Sequence, residues 1–178
     1  MRKLMMTVAT FAFPGLVACA PMQDGPAAGL NPPAATAEIR DATGRVVATA
    51  NARDHAGLTM RVEATGLRPG TYAVHLHSVG RCDPPDFTSA GSHWNPTAHQ
   101  HGRLNPLGPH FGDLPNIEIG TDGRGSIAFA LPSGSVRRGE HVLLDSDGAA
   151  LVIHANADDY RTDPTGNSGG RIACGVFG

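Results

Sequence analysis

From Ala35 onward the chain alternates apolar and polar residues over short stretches, and each stretch stops at Gly, Pro, Asn or Asp. A period of two puts successive side chains on opposite faces, which is the pattern of a half-buried strand. The stretches are Thr36 to Arg40, Arg45 to Ala52, Gly57 to Ala64, Thr71 to Ser78, Asn116 to Ile119, Ser126 to Leu131, Glu140 to Leu144 and Ala150 to His154. No segment sustains a helical period, and 23 Gly with 14 Pro in 178 residues suit a turn-rich chain. "ATGR" at Ala42 to Arg45 and "TDGRG" at Thr121 to Gly125 supply the glycines that tight hairpin turns need. The expected fold is therefore all-β, an antiparallel sandwich or flattened barrel of about eight strands. Two long stretches interrupt it, Val79 to Pro115 and Ala155 to Gly170, and long loops on a rigid β scaffold are where chemistry concentrates.

The first residues read differently. Arg2 and Lys3 precede an apolar run from Leu4 to Val17, the layout of a secretory signal. The run ends in "LVAC", Leu16 to Cys19, which resembles a bacterial lipobox; residues 1–18 are then the cleaved signal and Cys19 the lipidated first residue. The competing site lies after Ala20 and would start the mature chain at Pro21. Residues 19–34 are rich in Pro, Ala and Gly and read as a flexible tether, leaving 35–178 as the folded domain.

With Cys19 lipidated, Cys82 and Cys174 remain as one pair, and an oxidising compartment lets such a pair form a disulfide. The alternative is two free thiols. Without Arg2 and Lys3 the chain has 12 basic and 16 acidic residues, about −4, and no lysine. No basic field therefore points to nucleic acid, and membrane contact is expected only through Cys19.

The histidines carry the chemistry. "VHLH" puts His75 and His77 two apart on a strand, on one face and about 7 Å apart along it. The loop adds His93, His101, His110 and Asp113, and His154 ends a later strand. A single histidine is usually structural or surface, but seven candidate groups from two strand ends and one loop point to metal. Imidazole suits copper and zinc, and a carboxylate among imidazoles suits zinc. Seven groups exceed one four-coordinate ion and suffice for two adjacent sites if one imidazole serves both.

In combination these residues resemble the Cu,Zn superoxide dismutases of the exported bacterial type. "HLH" resembles the paired copper ligands, "SAGSHWNP" the segment of the bridging histidine, "HFGDLP" the zinc His and Asp, and "GNSGGRIACGV" the C-terminal motif. The resemblance implies an eight-stranded Greek-key barrel or sandwich, with copper on His75, His77, His93 and His154 and zinc on His93, His101, His110 and Asp113. It further implies Asp158 as the carboxylate linking a copper histidine to a zinc histidine, and Cys82–Cys174 as the disulfide. The implied activity is disproportionation of superoxide at a copper cycling Cu(II)/Cu(I), with His93 as bridge and proton carrier, zinc structural, and Arg171 holding the anion.

Other polar residues are expected outside this site. His99 lies two residues before His101 and is the decoy in the loop, while His55 and His141 are expected on surface or turn positions. Asp159 is expected to be solvated. Arg81, Arg103 and Arg161 are candidate steering cations, since the mature chain lacks lysine. Val74, Ser78 and Phe177 depart from the family's usual residues. The rival readings are a copper-delivery module on the same fold without turnover, and a structural lipoprotein whose histidines buffer zinc; both a monomer and a homodimer are compatible with the sequence.

Overall fold

The computed structural model describes residues 34–178. The signal 1–18, Cys19 and all but the last residue of the tether 19–34 lie outside the described residues. The described chain is all-β apart from one 3₁₀ turn, Thr88–Ala90. Its strands are β1 (Ala35–Asp41), β2 (Val46–Asp54), β3 (Leu58–Ala64), β4 (Gly70–Tyr72), β5 (Val74–His77), β6 (Ile117–Ile119), β7 (Gly125–Leu131), β8 (Ala150–His154) and β9 (Arg171–Val176). Seven form one curled antiparallel sheet in the order β5-β8-β9-β1-β2-β3-β7, and β4 pairs with β6 in a small second sheet. A β-barrel or sandwich is the architecture expected from the alternation.

The alternating residues build the core. In β1 Ala35, Ala37 and Ile39 point inward, and in β3 Leu58, Met60, Val62 and Ala64 do the same. They pack with Val47, Leu76, Ile117, Leu143, Leu151 and Ile153 in one cluster. Burying each large aliphatic chain contributes roughly 1.5–3 kcal/mol, against the entropy of ordering a loop-rich chain. Strand β8 is buried along its whole length: Leu151 and Ile153 face this core, while Ala150 and Val152 face a smaller cluster with Phe87, Ala90 and Cys174.

Three expectations fail. The single strand expected over Thr71 to Ser78 divides at Ala73 into β4 and β5, which belong to different sheets. There the Ala73 N–H donates to Asn156 O and its carbonyl accepts from His154 N, so the residue bonds outside the β4 ladder and turns the chain toward β8. The strand expected over Glu140 to Leu144 does not form. That stretch makes one isolated parallel bridge, Ser135 to Val142, and Leu143 enters the core from a loop. Its apolar run is packed in place with Leu143 N donating to Ser135 O and Leu144 N to Val136 O, outside any named strand, which alternation cannot distinguish from a ladder. Conversely, β9 is absent from the expected strands; Ala173 and Gly175 are residue types depleted in strands. It forms because it lies between β8 and β1, where a Cβ at Gly175 would stand 2.5 Å from Glu38 O; the smallness is what lets the backbones approach.

Candidate metal centre

Strand β5 carries Val74 and Leu76 into the core, so period two turns His75 and His77 to the other face. Its free edge is covered by the long loop. Trp94 N donates to Leu76 O, Leu76 N to Gly112 O, and Gly112 N to Trp94 O. These bonds zip the loop along the strand and set His93 opposite His77 and Asp113 opposite His75. His154 arrives from β8, the other neighbour of β5.

Four ring nitrogens then converge. His75, His77, His93 and His154 each offer one nitrogen, and these lie within 4.8 Å of one another. His75 Nδ1 and the Nε2 atoms of His77, His93 and His154 are buried without a hydrogen-bond partner. The opposite nitrogens of the three strand-end rings are occupied. His75 Nε2 lies 2.9 Å from Asp158 Oδ2, His77 Nδ1 2.9 Å from Gly91 O, and His154 Nδ1 3.1 Å from Ser168 Oγ and 3.3 Å from Gly169 O. Such bonds fix tautomer and ring angle and leave the inward lone pairs free for a cation. Burial pushes His77 down to about 2, His154 to about 3 and His93 to about 4, and lowers His75 as well. All four rings are thus neutral near pH 7, the state a metal requires.

A second set gathers around Asp113. Its Oδ1 lies 2.9 Å from His93 Nδ1, 3.0 Å from His101 Nδ1 and 3.1 Å from His110 Nδ1, and the His93 and His110 Nδ1 atoms are 3.3 Å apart. Four ligand atoms about 2.0–2.1 Å from a tetrahedral zinc ion stand roughly 3.3 Å from each other, so the spacing fits one such ion. His101 Nδ1 makes no true hydrogen bond despite its proximity. Ligand atoms of His75, His93, His101 and Asp113 lie within 4.8 Å of one another, and His110 stands outside that group but adjoins it through Asp113 and His93. Burial would raise Asp113, but the adjacent His101 ring and hydrogen bonds from His110, His93 and Gly102 N hold it far below the usual carboxylate range. Burial likewise opposes charge on His101, yet the Asp113 and Asp158 carboxylates carry it up to about 9.

Asp158 ties the two sets together. Its Oδ2 bonds His75 Nε2 and its Oδ1 bonds His101 Nε2, both at 2.9 Å. The expectation did not include the residues that hold it. Asn116 Oδ1 accepts from Asp158 N and its Nδ2 donates to Asp158 O, and Tyr160 N donates to Asp158 Oδ1 at 2.6 Å. Tyr160 Oη in turn accepts from Asn116 N at 2.7 Å. Nothing in the local sequence marks Asn116. Gly166 completes the enclosure: a Cβ there would lie 1.9 Å from Asp158 Oδ1, at a backbone φ of +64° that side chains rarely adopt.

Arg171 starts β9 and donates to Phe87 O through Nη1 and to Gly91 O through Nη2, both at 2.7 Å. Gly91 O also serves His77 Nδ1, so the guanidinium is one carbonyl away from the first histidine set. Phe87 adopts a left-handed backbone, φ 54°, and its buried ring packs beside Cys174. A disulfide joins Cys82 to Cys174 and fastens this loop to β9.

The remaining sequence candidates stand apart. His99 is exposed, its ring 3.2 Å from Pro109 O. His55 is exposed at the β2–β3 turn, and His141 packs against Phe111 at 4.6 Å. Asp159 is exposed and accepts from Arg161 N and Thr162 N at the surface. Arg81 pairs with Asp83, Arg103 stacks 4.0 Å over the Tyr160 ring, and Arg161 is exposed. Val74 and Phe177 are buried in the core.

The family model "Copper/zinc superoxide dismutase" matches residues 42–177. The chain is 47% identical to "Superoxide dismutase-like protein YojM" of Bacillus subtilis over 126 residues, 70% of this chain and 64% of that protein's length. It is 46% identical to "Superoxide dismutase [Cu-Zn] 1" of Aquifex aeolicus over 124 residues, 68% of this chain and 73% of the relative. The crystal structure of a SOD-like protein from Bacillus subtilis superposes with a TM-score of 0.74 at 41% identity, covering 79% of this chain and 96% of that one.

Proposed function

The chain belongs to the copper/zinc superoxide dismutase family, and from that premise we propose that it converts two superoxide anions and two protons into dioxygen and hydrogen peroxide. What supports the reading is a set of four converging ring nitrogens, His75, His77, His93 and His154, buried without a protein partner, beside a second gathering of His93, His101 and His110 around Asp113. Copper would be held by His75 Nδ1 and by Nε2 of His77, His93 and His154. Zinc would be held by Nδ1 of His93, His101 and His110 and by Asp113 Oδ1. When bound, copper supplies a centre that accepts and returns one electron, and zinc supplies a fixed charge without redox chemistry.

The protein's own groups do the rest. Arg171 stays charged and holds the anion: two of its N–H groups are tied to Phe87 O and Gly91 O, which fixes the fork and leaves further donors for substrate. His93 Nε2 is buried and weakly basic as placed, so it can hold a proton and give it up readily when it is not a ligand. Asp158 fixes the His75 and His101 rings in one orientation, so that neither set has to reorganise during turnover.

The rival reading is a copper-handling protein without turnover, and the similarity to a relative named only "dismutase-like" keeps it in play. A dismutation assay on protein loaded with copper and zinc, beside a zinc-only sample, separates them. Fast activity that disappears without copper is expected; tight uptake of both metals with no turnover would sink the enzyme reading.

We further propose that the protein is exported to the periplasm, as its disulfide supports, with 1–18 as signal, 19–34 as tether and 35–178 as the catalytic domain. Lipid on Cys19 would anchor it to a membrane. A Cys19→Ala variant is then expected in the soluble fraction, and continued membrane association would refute the anchor.

A further inference from the structure

Arg171 opens onto a cavity of about 470 Å³ lined by Pro85, Asp86, Thr88, Gly169, Gly170 and Arg171. Two of these residues are charged, with opposite signs. Asp86 does not neutralise Arg171 by contact: among the described residues they form no ion pair. Instead Asp86 Oδ1 accepts from Thr88 N at 3.1 Å and Thr88 Oγ1 at 3.0 Å, which fixes the carboxylate in the exposed wall. Arg171 is fixed separately on Phe87 O and Gly91 O. The two side chains line the same cavity, so each charge lies in the other's field. An anion that reaches the guanidinium through this cavity therefore passes beside a fixed negative charge.

We propose that Asp86 is a charge filter of the anion site, admitting small monovalent anions to Arg171 and disfavouring divalent ones. The inference rests on the reading that Arg171 holds the substrate anion. A monovalent anion meets the directed N–H groups of Arg171 at short range and the Asp86 field from farther away, so attraction wins. A dianion doubles the repulsion from Asp86, and no second cation lines the cavity to offset its extra charge. For superoxide in a compartment containing phosphate and dicarboxylates, such a filter keeps Arg171 free of larger competitors.

The test compares azide with phosphate on the metal-loaded protein at low ionic strength and about pH 8, where phosphate is largely divalent. Azide binding is followed by the copper absorption, and phosphate by its competition with azide. Asp86→Asn keeps the size of the side chain and removes its charge; it is expected to tighten azide about 3-fold and phosphate about 10-fold, a difference that grows as salt is lowered. Asp86→Glu keeps the charge and should leave the phosphate-to-azide ratio near that of the parent. Arg171→Ala should weaken both anions in either background. Equal tightening of both anions by Asp86→Asn, or none, overturns the filter. Superoxide turnover is measured on the same samples: turnover without a change in ratio discards the filter and leaves the dismutase reading standing. A changed ratio without turnover supports the filter and discards dismutation.

Discussion

Replacing His93 with alanine is expected to abolish the communication between the two metal positions and to lower superoxide turnover by on the order of 10²-fold or more. His93 is the ring whose two nitrogens face the two sets: Nδ1 is 2.9 Å from Asp113 Oδ1, and Nε2 is buried and unpartnered beside His77 and His154. Alanine removes one candidate ligand from each set and leaves a space that water can enter. Metal content and the electron paramagnetic resonance spectrum of the copper form report the loss directly, independently of activity. The control is His99→Ala, which removes an exposed ring of the same loop and should change neither readout. If His93→Ala leaves the spectrum and the zinc content of the parent intact, the shared-ligand assignment is wrong.

Removing the disulfide by Cys82→Ser with Cys174→Ser is expected to cost about 4–5 kcal/mol. The bridge closes a segment of 92 residues, and in the chain-entropy account a loop of that length restrains the unfolded chain by about that amount. For a domain of this size the melting temperature should fall by roughly 10–20 °C, measured with both proteins in the same metal state because bound metal adds its own stabilisation. The loss should reach the proposed anion site at Arg171 as well. Cys82 lies in the loop whose Phe87 and Gly91 carbonyls hold Arg171, and Cys174 lies three residues after Arg171 on β9. Weaker azide binding is expected to accompany the lower melting point. An unchanged melting temperature would mean that the loop is held by its packing against Ala150 and Val152 rather than by the bridge.

Much of the scaffold is legible locally. Ile39 and Val62 announce buried faces by their period-two neighbours, and turn glycines mark where β1 gives way to β2 and β6 to β7. The misread segments share one cause. Ala73 changes sheets because of bonds to Asn156 and His154, about eighty residues away, and β9 depends on the strands that flank it rather than on its own propensity. Leu143 shows the reverse case, an apolar run buried without a ladder. At the site the candidate ligand types and their motifs are visible in the chain, whereas Asn116, which holds Asp158 and meets Tyr160 Oη, carries no signal because its bonds link distant segments.

The sequence by itself determined an all-β chain with histidines at strand ends and in a long loop, because strand periodicity and imidazole chemistry are properties of a few neighbouring residues. Only the tertiary structure decided which nitrogen of each ring faces inward, that Arg171 hangs on Phe87 O and Gly91 O, and that Asp86 shares its cavity. Those facts depend on backbone carbonyls and on pairings between separate elements, from 14 positions apart for His77 and Gly91 to 84 for Arg171 and Phe87. A carbonyl's direction is set by the fold around it, and no residue's identity encodes it.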